Sequence, residues 1–318
     1  MGLSLTILNQ AVIMLILIIA GIICYKIKMI TVRGTKEMSS IILQVVNPVV
    51  IFLAYQRDFE TALLSGLVKC VFLSALAFAA ALILSYLLVR GKEGSDKNIE
   101  RFACVYSNCG FMGIPLVNAM LGLEGVFYLT AFVTVFNLLV WTHGVMQMSG
   151  VKSMKSLVCA VRSPAVIAIF AGLATFILRA FVSQGVSDML TDNIIMKALG
   201  YIAELNTPLA MIVAGASIAQ INIIGALKKP RIYYIAFLRL LLIPCIIAAL
   251  LSLIKADFIQ ILTVTVAMSA PTATMVTLFA IRYEKDYLYA SEIFAFTTII
   301  SVATMPLIVA LSNFLNQG

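Results

Sequence analysis

Residues Asn108 to Leu116 read NCGFMGIPL, placing an asparagine, two glycines and a proline inside an apolar run where a membrane helix should be continuous. Pro115 has no amide proton and crowds the turn before it, while Gly110 and Gly113 loosen the chain. Within a bilayer, an opened backbone is tolerated only where protein buries it or a watery cavity faces it. The freed groups must therefore serve one another or a ligand.

The setting is a membrane protein. Of the 318 residues, 62% are hydrophobic and 11% charged, against about 45–50% and 25% in soluble domains. Ten apolar runs are long enough to cross a hydrocarbon core about 30 Å thick. They lie near Leu5–Tyr25, Glu37–Tyr55, Leu63–Val89, Phe102–Leu121, Gly125–Met148, Pro164–Phe181, Ile194–Ile221, Ile232–Ile254, Phe258–Ile281 and Tyr287–Phe314, here called spans 1 to 10. No Lys or Arg precedes span 1, so it reads as a permanent span and not as a signal peptide.

Charge sets the expected topology. Sixteen Lys and Arg lie in loops after odd-numbered spans, among them Lys26, Arg33, Arg101, Lys228 and Arg282, and four lie on the other side. By the positive-inside rule the first set is cytoplasmic and both termini are outside. The net charge of +8 is mostly this signature; it predicts contact with lipid and no nucleic-acid binding. The six cysteines form no CxxC pair and read as small, reduced apolar side chains.

The chain also repeats itself. Asn47-Pro48 in span 2 matches Asn206 and Pro208 in span 7; the break at Gly113 and Pro115 in span 4 matches one at Ser269 to Thr274, with Pro271, in span 9. AFVT from Ala131 matches AFTT from Ala295, and Lys69 in span 3 matches Arg239 in span 8, all at offsets between 156 and 170 residues. Five spans per copy is an odd number, so the second copy, 161–318, is expected to be inverted relative to the first, 1–160. Corresponding interrupted helices in inverted halves point to a transporter's central site, where half-helix N-termini face an anion.

The candidate substrate-binding residues follow: Asn108, Gly110, Gly113, Pro115, Ser269, Pro271, Thr272, Thr274, Asn47 and Asn206, with the amides after Pro115 and Pro271 as donors. Ionisable groups within spans are costly and therefore functional candidates. Lys69 and Arg239 are expected to attract the anion, and Glu204 and Glu292 are candidate proton carriers. His143, the one histidine, reads as a packing or interfacial residue, and Asn137 as a helix tie. One histidine, no HExxH and no buried Asp pair argue against a metal, a cofactor or an enzyme.

NxGFxGIPL in span 4, the matching proline in span 9 and the asparagine-proline signatures of spans 2 and 7 resemble the auxin efflux carrier family. That family includes PIN-like and bacterial malate or malonate permease-like transporters of the bile/arsenite/riboflavin transporter superfamily. The resemblance spans essentially the whole chain. It implies an all-α integral membrane fold of the bile-acid sodium symporter type: two inverted five-helix repeats, with spans 1, 2, 6 and 7 as scaffold and spans 3–5 and 8–10 as a transport domain in which broken spans 4 and 9 cross. It also implies an elevator-type transporter of a small organic anion at the plasma membrane, with a homodimer formed through the scaffold. Plant members carry a long loop after span 5 and an acid one turn before the span 3 lysine; here Ser149–Ser163 is short and that position is Ser65. Few carboxylates lie in the transport spans, so uniport or proton coupling is favoured over sodium coupling. A sensor built on a transporter fold is the main alternative.

Overall fold

A computed structural model describes residues 3–91, 96–150, 162–181, 193–221, 223–254 and 256–316. Lys92, Lys152, Lys155, Lys255, Cys159 and most of the linker between spans 5 and 6 lie outside these residues. The described residues are helical apart from short connections and one isolated β-bridge.

Helix occupies every apolar run. Span 1 is α1 (Leu3–Lys26); span 2 is α2 (Val32–Ile41), a π-turn (Ile42–Val46) and α3 (Asn47–Ala54); span 3 is α4 (Thr61–Leu88). Span 4 comprises α5 (Lys97–Val105), a non-helical link, a π-turn (Cys109–Gly113) and the start of α6 (Ile114–Leu139). Span 5 is the rest of α6, a π-turn (Val140–Gly144) and α7 (Val145–Ser149). Then follow α8 (Pro164–Leu178), α9 (Ile194–Glu204), α10 (Asn206–Ala219) and the short α11 (Ile223–Leu227). Span 8 is α12 (Pro230–Phe237), a π-turn (Leu238–Leu242) and α13 (Ile243–Ser252); span 9 is α14 (Phe258–Ser269) and α15 (Met275–Arg282); span 10 is α16 (Tyr287–Asn316). Seven helical segments are long and apolar enough to cross a membrane; Val12–Lys26 and Phe258–Ser269 are apolar but shorter.

Proline chemistry explains the π-turns. Three of the four stand directly before Pro48, Pro115 and Pro244. A proline cannot donate to the carbonyl four residues back and its ring pushes that carbonyl aside. The chain widens by one residue instead, so Asn47, Ile114 and Ile243 donate five residues back to Ile42, Cys109 and Leu238. The segment Cys109–Ser149 would be roughly 60 Å long if straight, about twice a bilayer core. Gly122 bends it, at φ 62° and ψ −159°, a region that only glycine enters readily.

Packing separates two sets of contacts. α1 lies along α10, and α8 lies along α3. The α1–α10 backbones touch: a Cβ on Gly21 would stand 2.1 Å from the Ile212 carbonyl oxygen, and one on Gly215 would stand 2.0 Å from that of Ile18. Two helices approach this closely only through small residues. The second set joins α4, α6, α14 and α16, with α13 against α16. Its core includes Phe78, Phe102 and Phe132, all fully buried.

Candidate functional site

The two interrupted spans meet at their interruptions. In span 4 the helix stops at Val105, and Tyr106 and the following residues run extended to Asn108; in span 9 it stops at Ser269 and resumes at Met275. The two links cross as a short antiparallel ladder. Asn108 N–H donates to the Pro271 carbonyl at 2.7 Å and Ala273 N–H donates to the Tyr106 carbonyl at 2.9 Å, with Ser107 paired to Thr272. Residues Tyr106 to Asn108 and Ala270 to Ala273 are all buried. Each broken helix thus supplies what the other's backbone lacks, as the apolar interior requires.

This corrects the position of the break in span 4. The sequence placed it at Gly113 and Pro115, but those residues have helical backbone, and the interruption lies at Tyr106–Asn108. Pro115 lies inside the second half-helix, which is capped by Asn108, and its missing amide widens the turn Cys109–Gly113 without opening the helix. In span 9, Pro271 does lie within the link.

Arg239 is also placed differently from the expectation of an anion-attracting side chain. It is fully buried, and its donors all go to backbone carbonyls. Nε and Nη2 donate to Ala270 at 3.1 and 2.8 Å, Nη2 also to Met268 at 2.9 Å, and Nη1 to Cys104 and Val105 at 2.9 and 3.4 Å. These carbonyls belong to the C-terminal ends of α5 and α14 and to the link between α14 and α15. Helix C-termini carry partial negative charge and orphan acceptors, so one guanidinium caps both first half-helices. Lys69 is exposed on the outer side of α4 and makes no matching contact. The two cations are alike in sequence position but not in environment.

With the C-terminal ends occupied, the N-terminal ends of the second half-helices hold the remaining donors. Asn108 Oδ1 accepts from the Phe111 amide at 3.3 Å. Among the described residues no backbone carbonyl accepts from the amides of Cys109 and Gly110, which lie against the Cys109 thiol, a weak acceptor, and the one side-chain bond of Asn108 is made by its oxygen. Thr274, where α15 starts, does not cap its helix with its side chain. Thr272 is committed: its hydroxyl donates to Ala103 at 3.2 Å and its amide to the Thr297 hydroxyl at 3.3 Å. Ser269 returns its hydroxyl to the Val266 carbonyl at 2.8 Å.

Two asparagines far apart in sequence join this centre. Asn47 Nδ2 donates to the Gly110 carbonyl at 3.4 Å, and Asn206 Nδ2 donates to Asn47 Oδ1 at 2.6 Å. A carbonyl only accepts, so Asn47 must present its nitrogen to Gly110 and its oxygen to Asn206. Asn206 must then present its nitrogen in turn, which leaves its own Oδ1 buried without a partner. Beside the crossing, Met14, Met112, Leu116, Ser301, Met305 and Pro306 line a small apolar pocket.

The remaining candidates stand apart. Glu204 is exposed, two residues from Asn206. Glu292 is held by Lys229 Nζ at 2.5 Å, which leaves it an ion-pair partner and not a free proton carrier. Asn137 bonds within its own helix to Val133 at 2.8 Å. His143 lies between two tyrosines, with Tyr106 Oη at 2.9 Å from Nδ1 and Tyr86 Oη at 3.3 Å from Nε2. Sequence reasoning missed Glu100, a fully buried carboxylate on α5, because it precedes the apolar run of span 4. No group of residues suited to hold a metal ion occurs among the described residues.

One family profile, described as membrane transport protein, matches residues 6–157 and 151–309. No curated protein matches the chain.

Proposed function

The chain belongs to the membrane transport protein family, that of the auxin efflux carriers, and from that premise we propose that it is a secondary transporter of a small organic anion. The observation that carries this reading is the split of polarity at the crossing. Arg239 satisfies the negative ends of both first half-helices, while the positive end at Asn108 to Gly110 keeps amides that no carbonyl takes and that meet only a thiol. A thiol is a weak acceptor, so a carboxylate there would exchange weak contacts for charge-assisted hydrogen bonds, which are about twice as strong as neutral ones. Asn206 Oδ1, linked to Gly110 through Asn47, is an unpartnered acceptor that would take a hydroxyl or amide of the substrate and not its carboxylate.

The binding set we propose is Asn108 with the Cys109 and Gly110 amides, supported by Asn47 and Asn206. Transport would proceed by alternating access of elevator type, with spans 1, 2, 6 and 7 static and the rest moving. Packing supports this division: α1 with α10 and α8 with α3 exchange roles as two inverted copies would. An anion leaving an inside-negative cell gains about 2.3 kcal/mol per charge per 100 mV, so efflux needs no coupling. A thermal-shift series of purified protein against carboxylates of graded size, followed by uptake into vesicles, tests the reading. Stabilisation by at least one carboxylate that is also transported is expected; no binding across the series would overturn it.

A further inference from the structure

We infer that span 8 is a splint for the crossing, and that Glu100 and Arg231 are positioning residues which fix the half-helix α5 along it; the functional meaning of this rests on the crossing being the binding site. Glu100 is fully buried and receives three donors: Arg231 Nε at 2.8 Å, Arg231 Nη2 at 2.6 Å and Tyr289 Oη at 2.7 Å. A carboxylate taken wholly out of water is tolerable only with partners of this kind. Arg231 stands at the start of α12, and its Nη2 also reaches the Arg90 carbonyl at 2.7 Å. Eight residues further along the same span, Arg239 grips the other end of α5 through Cys104 and Val105. One span therefore holds α5 at both ends by two arginines. The second grip also holds α14 through Met268 and Ala270, so any axial slip of α5 would shear the ladder between Asn108 and Pro271.

A merely structural ion pair would loosen the whole fold when weakened; a splint would loosen the crossing first. Native cysteines report the difference. Cys104 and Cys109 flank the crossing and Cys70 lies on α4, and all three are buried and free. Substrate-free full-length protein would be labelled with a small membrane-permeant maleimide, and the modified sites mapped by peptide mass. Arg231→Lys keeps the charge and loses the fork; Tyr289→Phe removes one neutral donor. Arg231→Lys should raise labelling at Cys104 and Cys109 roughly tenfold with Cys70 unchanged, and Tyr289→Phe should raise it less. Cys104 and Cys109 remaining protected in both, or Cys70 rising in step with them, would overturn the inference. No transported anion enters the experiment, so its outcome is separate from that of the transport reading.

Discussion

At Asn108 the side-chain oxygen is committed to the Phe111 amide while the nitrogen is unpaired, so the residue both starts the second half-helix and offers a donor to a ligand. Asn108→Ala should cost affinity for a carboxylate by roughly five- to a hundredfold, the worth of one buried hydrogen bond, while the protein still folds and inserts. Equilibrium binding to the purified variant checks this, and unchanged affinity would remove Asn108 from the site. Arg239 predicts a different outcome, because its loss leaves four buried carbonyls without their donor. Arg239→Gln should lower stability by about 3 kcal/mol or more, read as a clear fall in melting temperature in detergent. Lys69→Gln, at an exposed position, should stay within about 0.5 kcal/mol of the parent protein and leave the half-saturation concentration almost unchanged. The sequence treats these cations as equivalents because they share depth and spacing. It could not show that one meets carbonyls of residues more than a hundred positions away, since hydropathy and charge carry no information about tertiary partners.

Among the elements, the π-turns are where local chemistry governs the site most directly. Pro115→Ala restores an amide that can donate to Phe111 and lets the widened turn Cys109–Gly113 close into ordinary α-helix. Hydrogen exchange at residues 111–114 should slow, and anion affinity should fall as the amides of Cys109 and Gly110 move; faster or unchanged exchange would contradict the account. Gly215→Leu should separate α1 from α10, because even a Cβ there would stand 2.0 Å from the Ile18 carbonyl. Much of this level was legible in the sequence. Apolar runs gave the helix positions, and the paired prolines marked both interrupted spans. The position of the break in span 4 was not, because a proline can either open a helix or only widen one of its turns, and only the ladder partner at Pro271 distinguishes the cases. Glu100 was hidden for a related reason: one acid in an amphipathic lead-in looks solvated until Arg231, 131 residues later, covers it.

For the whole molecule, the excess of Lys and Arg after odd-numbered spans predicts both termini outside. Reporter fusions at the N- and C-termini should both read as external, and a cytoplasmic reading at one end only would break the odd-numbered inversion on which the two-copy scheme depends. The crossing is the point where the two broken spans meet, held by one arginine on one side and presenting the amides of Cys109 and Gly110 on the other. The central claim is that a carboxylate fills that second side. Its most direct measurement is thermal-shift titration of the purified protein and of Asn108→Ala with malate, malonate and indole-3-acetate. The account predicts saturable stabilisation of the parent protein by at least one of them, with the midpoint moved roughly five- to a hundredfold higher in the variant. Equal midpoints in the two proteins would contradict it.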